Sequence, residues 1–243
     1  MTIAAQPFST LSYVELRKTA DTRSGKWILG LILVFSLVAL IWVIAHPEVP
    51  VSFHEYSDGV ASTIVFIAPI IGLLAITSEW TQRTALTTFT LTPRRSRVLS
   101  AKYVAAITVC ASTMAVGLLL SVAATAVGGI VHGHVSFSHM AGDVRGDMIV
   151  ITLQAAMAVG FGSLAGQTPL ALAAFLAAPT AFASVSNELL GGLSPWFDIF
   201  ETYSRLWSNQ PFDQFAQTLT SIACWIVIPG VLGAYRTIRR DVK

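Results

Sequence analysis

Charge is scarce in this 243-residue chain: Asp, Glu, Lys and Arg make up 12% of it, against 54% hydrophobic residues. That is about half the charged share of a soluble domain, so a water-surrounded core is a poor explanation and lipid is the better solvent. None of the 15 Lys and Arg or the 13 Asp and Glu falls within the six longest apolar runs. Pumps and gradient-driven transporters hold intramembrane carboxylates, histidines or basic groups as relays, so an internal power source is disfavoured. Sodium held by carbonyls and hydroxyls keeps that class open. There are two cysteines, Cys110 and Cys224, each inside an apolar run. They read as small buried hydrophobes and not as a disulfide or a metal pair. No Gly-x-x-x-x-Gly-Lys-Ser/Thr loop occurs, which excludes a nucleotidase of that type. The net charge of +2 argues for no nucleic acid partner.

Other catalytic sets are missing too. Gly160-Phe161-Gly162-Ser163 has the look of an intramembrane serine site, but the run 219–235 carries no histidine to act as its base. All five histidines, 46, 54, 132, 134 and 139, lie near or beyond run ends, which disfavours transmembrane haem ligation. His132-x-His134 with His139 is a weak metal pattern without matching carboxylates. No catalytic residue, cofactor or metal is expected on this chain.

What is present is the pattern of an all-α integral membrane protein. Six uncharged spans run over 27–45, 59–77, 103–131, 148–166, 170–186 and 219–235. A helix rising about 1.5 Å per residue crosses hydrocarbon about 30 Å thick with roughly 20 residues. The runs are apolar throughout and do not alternate, which favours helices over barrel strands. Pro69, Pro179 and Pro229 lie inside spans, where kinks are expected. Counted segment by segment, 13 Lys and Arg fall on the side of both termini and 2 on the other. Both termini and the segment 78–102 are therefore expected in the cytoplasm of a multi-pass plasma-membrane protein. Arg17, Lys18, Arg95, Lys102, Arg236, Arg239 and Arg240 read as anchors of that topology. No cleavable signal is expected from the charged first 26 residues.

Three further segments carry a reading. Residues 1–26 are either a positively charged flank or a helix lying on the inner surface, with Phe8, Leu11 and Val14 as a weak apolar face. Between the fifth and sixth spans, Trp196, Phe200, Tyr203 and Trp207 recur at spacings of 4, 3 and 4, one face of a helix at the outer interface. Ala158, Gly162 and Gly166 repeat every fourth residue, a face for close helix packing within the chain or across a dimer. Gln154, deep in the same span, is expected to hydrogen-bond to a neighbouring helix.

The segment 78–102 is the most informative. From Glu79 to Leu91 it can form about three helical turns, stopped at Thr92 before Pro93. Six threonines between positions 81 and 92 weaken that helix. By charge alone, its arginines do no more than hold the loop inside. The order Glu79, Thr84, Pro93, Arg94, Arg97, Lys102 resembles the membrane subunit of ABC-2 type exporters, where an acidic residue at the end of span two opens a cytoplasmic coupling helix. The resemblance extends to length, six spans, both ends inside, a charged N-terminal segment and a helical outer loop between spans five and six. Many members carry Gly before the Thr, whereas Arg83 stands here.

That resemblance implies a permease subunit of an ATP-driven exporter, moving a drug, peptide, lipid or glycolipid. Glu79, Arg83, Thr84, Pro93, Arg94 and Arg97 would couple it to two copies of a separate ATPase, which binds the ATP and Mg. The permease would act as a homodimer or heterodimer in membrane lipid. The competing readings are a non-transporting membrane interaction or regulatory protein, and a self-powered secondary transporter.

Overall fold

Proline decides where the second apolar run bends. In the computed structural model, which describes residues 7–46, 52–81, 94–133, 135–208 and 214–239, that run is two helices, α3 (Phe53–Ile67) and α4 (Pro69–Thr81), meeting at Ala68. Pro69 has no N–H to continue the ladder and its ring crowds the preceding turn, so the chain breaks there and resumes at once. Ahead of it come α1 (Phe8–Asp21) and α2 (Arg23–Ala45); after it come α5 (Arg95–His132), α6 (Met140–Ala165) and α7 (Thr168–Leu190). Short helices α8 (Ser194–Phe197) and α9 (Ile199–Trp207) follow, then α10 (Phe215–Ile222) and α11 (Ile228–Arg239) joined by one π-helical turn over Ala223–Val227. That turn immediately precedes Pro229, and the Ile228 amide reaches back to the Ala223 carbonyl, a shift of register typical of π-bulges. Pro179, by contrast, sits inside an unbroken α7.

Among the described residues, six helical stretches are long and apolar enough to cross a membrane: Arg23–Ala45, Phe53–Glu79, Arg95–His132, Met140–Ala165, Thr168–Phe197 and Phe215–Arg239. Each contains one of the six uncharged runs or most of it, and the helices extend past them into charged flanks. α5 shows why the third run is hard to delimit. At 38 residues it measures about 57 Å on a rise of about 1.5 Å per residue, well beyond a bilayer's apolar thickness. Its first two turns, holding Arg95, Arg97 and Lys102, therefore project past the hydrophobic stretch.

The core is built from α3, α5 and α6, where Tyr56, Val60, Ile64, Met114, Val150 and Ile151 are fully enclosed. α2 lies against α3 yet exposes Trp27, Val34, Val38, Ile41 and Trp42, the profile of a helix whose outer faces meet hydrocarbon. α6 and α11 approach closely because both are glycine-bearing at the crossing. A methyl on Gly233 would lie 2.9 Å from both the Gly160 carbonyl oxygen and the Leu164 amide, and closer still to Ser163 Oγ.

Ala158 and Gly162 face inward. Ala158 is enclosed beside Leu73 and Phe161, and Gly162 lies against Ile76 and Leu73 of α4. Gly166 caps α6 in the left-handed conformation, at φ 64°. The small-residue face thus packs within the chain. Both described termini lie at one end of the bundle: Leu11 of α1 packs on Val98 and Ala101 of α5, and Arg95 Nη1 donates to the Ile238 carbonyl 3.2 Å away. At the other end Ser52 pairs with Ser136 through one isolated bridge.

Candidate functional site: an ion cluster at the end of the second span

Four residues from three helices converge at the termini end. α1 supplies Glu15 and Lys18, the last turns of α4 supply Glu79, and the second turn of α5 supplies Lys102. The face that α1 buries is Leu11, Glu15 and Thr19, spaced by four. Of the apolar face expected from the sequence, Leu11 is buried, while Phe8 and Val14 are exposed. Burying one leucine, one carboxylate and one threonine on a helix is unfavourable unless the carboxylate finds counter-charges, because an isolated buried ion is expensive. Those counter-charges are the lysines.

Lys102 Nζ lies 2.6 Å from Glu15 Oε2 and 3.0 Å from Glu79 Oε1, and donates to the Ala75 carbonyl at 3.4 Å. Lys18 Nζ pairs with Glu79 Oε1 and stands 3.9 Å from Glu15 Oε1. Glu15, Glu79 and Lys102 are 3%, 4% and 6% exposed, while the Lys18 side chain is 44% exposed and forms the rim. Two positive and two negative groups balance. With several charge-assisted bonds satisfied, such a cluster fixes geometry more than it adds net stability. Chemically it is a clamp between α1, α4 and α5. It offers no nucleophile and, among the described residues, no three His, Cys, Asp or Glu side chains are grouped to hold a metal.

The other residues singled out in the sequence are placed as follows. Glu79 belongs to α4, which ends at Thr81, so it closes the span helix. Arg83, Thr84 and Pro93 lie outside the described residues, as do Arg240 and His134. Arg94 precedes α5, its carbonyl accepting from the Arg97 and Val98 amides, and it is exposed. Arg17 makes an exposed pair with Asp21 at 3.5 Å. Arg236 Nη1 donates to the Leu164 carbonyl and, at 3.2 Å, to that of Ala165, so it satisfies the open C-terminus of α6. The Arg239 guanidinium lies 4.4 Å over the Tyr235 ring. Lys102 is not an exposed anchor, because its ammonium is enclosed by the two carboxylates.

At the opposite end, the aromatic stripe is divided between two helices. Trp196 is in α8, and Asp198 then breaks the backbone and caps α9 by accepting from the Phe200 and Glu201 amides. Tyr203 turns into the core with Ile199 and Leu206, Phe200 packs at its edge, and the Trp207 indole donates to Asp147 Oδ1 at 2.8 Å. An aspartate capping mid-stripe and an inward tyrosine make this a packing face more than a belt of interfacial rings. Gln154 is buried, but its Oε1 has no hydrogen-bond partner among the described residues, contrary to the bond expected for it.

Sequence reasoning missed Glu15 and the true burden on Lys18 and Lys102. The usable signal was the Glu15-x-x-Lys18 spacing, with a second Glu and a second Lys at the two ends of one loop. No family model matches the chain, and no curated protein matches it in sequence.

Proposed function

We propose that this protein is the membrane subunit of an ABC-2 type exporter, carrying a hydrophobic or amphipathic substrate outward and energised by separate ATPase subunits. The observation that carries the reading is the clamp of Glu79 on Lys102 and Lys18. α4 ends at Thr81, two residues after Glu79, α5 begins at Arg95, and the two helices are tied to each other within one to two turns of those ends. A force applied to the segment 82–93 by a partner would move α4 and α5, with α1, as one rigid body instead of splaying them apart. In this reading Glu79 anchors a coupling helix, Arg83, Thr84, Pro93, Arg94 and Arg97 line or support the partner contact, and both termini face the cytoplasm. ATP and Mg are held by the ATPase, and the permease works as a pair of copies or of related chains.

The test is purification of the tagged full-length chain from its native membranes, followed by vesicle reconstitution with whatever ATPase accompanies it. The reading expects an ATPase with a phosphate loop and ATP-dependent efflux of an amphipathic dye. Efflux driven by an ion gradient without ATP, or purification with no ATPase, would overturn it.

A further inference from the structure

Beside the ion cluster lies a cleft of about 480 Å³, with three residues of the cluster in its lining. One wall is Thr22, Arg23, Ser24 and Gly25 at the start of α2; the other is Ile71, Leu74, Ala75 and Ser78 of α4; the buried Glu15 and Glu79 and the half-exposed Lys18 complete the lining. The space is many times the share of one water, about 30 Å³. Its polarity is arranged in two parts. α1 and the start of α2 contribute the basic groups Lys18 and Arg23, and α4 contributes the aliphatic side chains of Ile71, Leu74 and Ala75.

The charge balance singles out a ligand. Glu15 and Glu79 are already matched by Lys18 and Lys102, and Asp21 is matched by Lys26 at 3.3 Å and by Arg17. Arg23 makes no ion pair among the described residues, so the cleft and the adjoining cluster, with Lys102 counted, together carry one surplus positive charge. Its guanidinium is suited to a phosphate, which it can grip through two parallel N–H bonds. The next turn of α2 presents Trp27, 76% exposed, where an indole would sit at a headgroup boundary.

We infer that this cleft binds the phosphodiester of an anionic phospholipid from the leaflet at the termini end, with Arg23 and the rim ammonium of Lys18 on the phosphate and the glycerol and chain roots against Ile71, Leu74 and Ala75. A zwitterionic lipid is disfavoured because its extra cation finds both nearby carboxylates already engaged. The inference is independent of any transport activity. Lipid binding would also set Lys18 between the phosphate and Glu79, and Glu15, Lys18 and Glu79 belong to both the cleft and the clamp.

The test uses the full-length chain in nonionic detergent, offered equal amounts of phosphatidylglycerol and phosphatidylcholine and analysed by native mass spectrometry. Phosphatidylglycerol should be retained preferentially, and Arg23→Ala should lower its retention about tenfold, the worth of one charge-assisted contact. Arg23→Lys should retain part of it, and Lys26→Ala, whose side chain does not line the cleft, should leave it unchanged. Phosphatidylglycerol should also raise the melting temperature of the wild-type chain more than phosphatidylcholine does, a readout that needs no variant. Equal retention of the two lipids by the wild type, or full retention by Arg23→Ala, would overturn the proposal. Displacement of the lipid by millimolar inorganic phosphate would assign the site to a soluble phosphate and overturn its lipid part.

Discussion

Lys102 Nζ lies 2.6 Å from Glu15 Oε2, joining an N-terminal helix to the third span across 87 residues of sequence. Each group alone would be a buried charge; together with Glu79 and Lys18 they hold three helices in one arrangement. Lys102→Met leaves two carboxylates facing the half-exposed Lys18 alone. We expect that variant to lose about 3–5 kcal/mol, the usual cost of orphaning a buried ion. The double variant Glu15→Gln/Lys102→Met should recover a large part of that loss, because it removes one charge of each sign. Thermal unfolding in detergent, run as a double-mutant cycle, measures both.

Glu79 separates structure from transmission. Glu79→Gln keeps the side chain's volume and one acceptor for Lys102, so the chain should insert and fold close to normally. Under the exporter reading, ATP hydrolysis by the partner should then continue while ATP-dependent efflux falls by about tenfold or more, since a clamp weakened by about 1.5–3 kcal/mol transmits less of the stroke. Parallel assays of hydrolysis and efflux in the same vesicles check this. Full efflux would remove Glu79 from the coupling path.

The six membrane-length helices were legible in the sequence for a simple reason. Apolar runs depend on solvent alone, and solvent acts on each segment independently. What was not legible depends on pairs. Lys18 and Lys102 each read singly as an anchor and Glu79 as the start of a coupling helix, and only their convergence with Glu15 makes a clamp. Tyr203 and Trp207 share a stripe by spacing, yet Asp198 caps a new helix within it and Tyr203 turns inward. Gly162 announced close packing, but whether its neighbour would be Ile76 of this chain or a second copy is a tertiary question. The amphipathic character of α1 was underestimated for the same reason, because two of its three buried residues are polar.

The α6 and α11 crossing gives a prediction of a different kind. Gly233→Ala would place its methyl 2.9 Å from the Gly160 carbonyl oxygen and 2.9 Å from the Leu164 amide, both backbone atoms that cannot swing away. Overpacking of this sort costs about 1–3 kcal/mol. The serine hydroxyl of Ser163 is the nearest atom, so Ser163→Gly combined with Gly233→Ala should relieve only part of the loss. Melting temperatures of the single and double variants decide it: complete rescue by Ser163→Gly would mean that the side chain alone, and not the backbone, sets the approach.

At the opposite end, Trp207 ties α9 to the start of α6 through its indole bond to Asp147. The helices touch there as well, since a methyl on Gly146 would fall 3.0 Å from the Trp207 Cα and 3.2 Å from the Leu206 carbonyl oxygen. Trp207→Phe keeps most of the ring contact and removes the donor, leaving a buried carboxylate oxygen without its partner. The expected loss is about 1–3 kcal/mol. Asp147→Asn keeps an acceptor for the indole and should lose less than Trp207→Phe does. Hydrogen exchange localises the effect: in Trp207→Phe the amides of 199–207 should exchange faster while those of α1 keep their protection, because the clamp at the termini end does not depend on this tie. Uniform loss of protection through both ends would show instead that the two ends open as one cooperative unit.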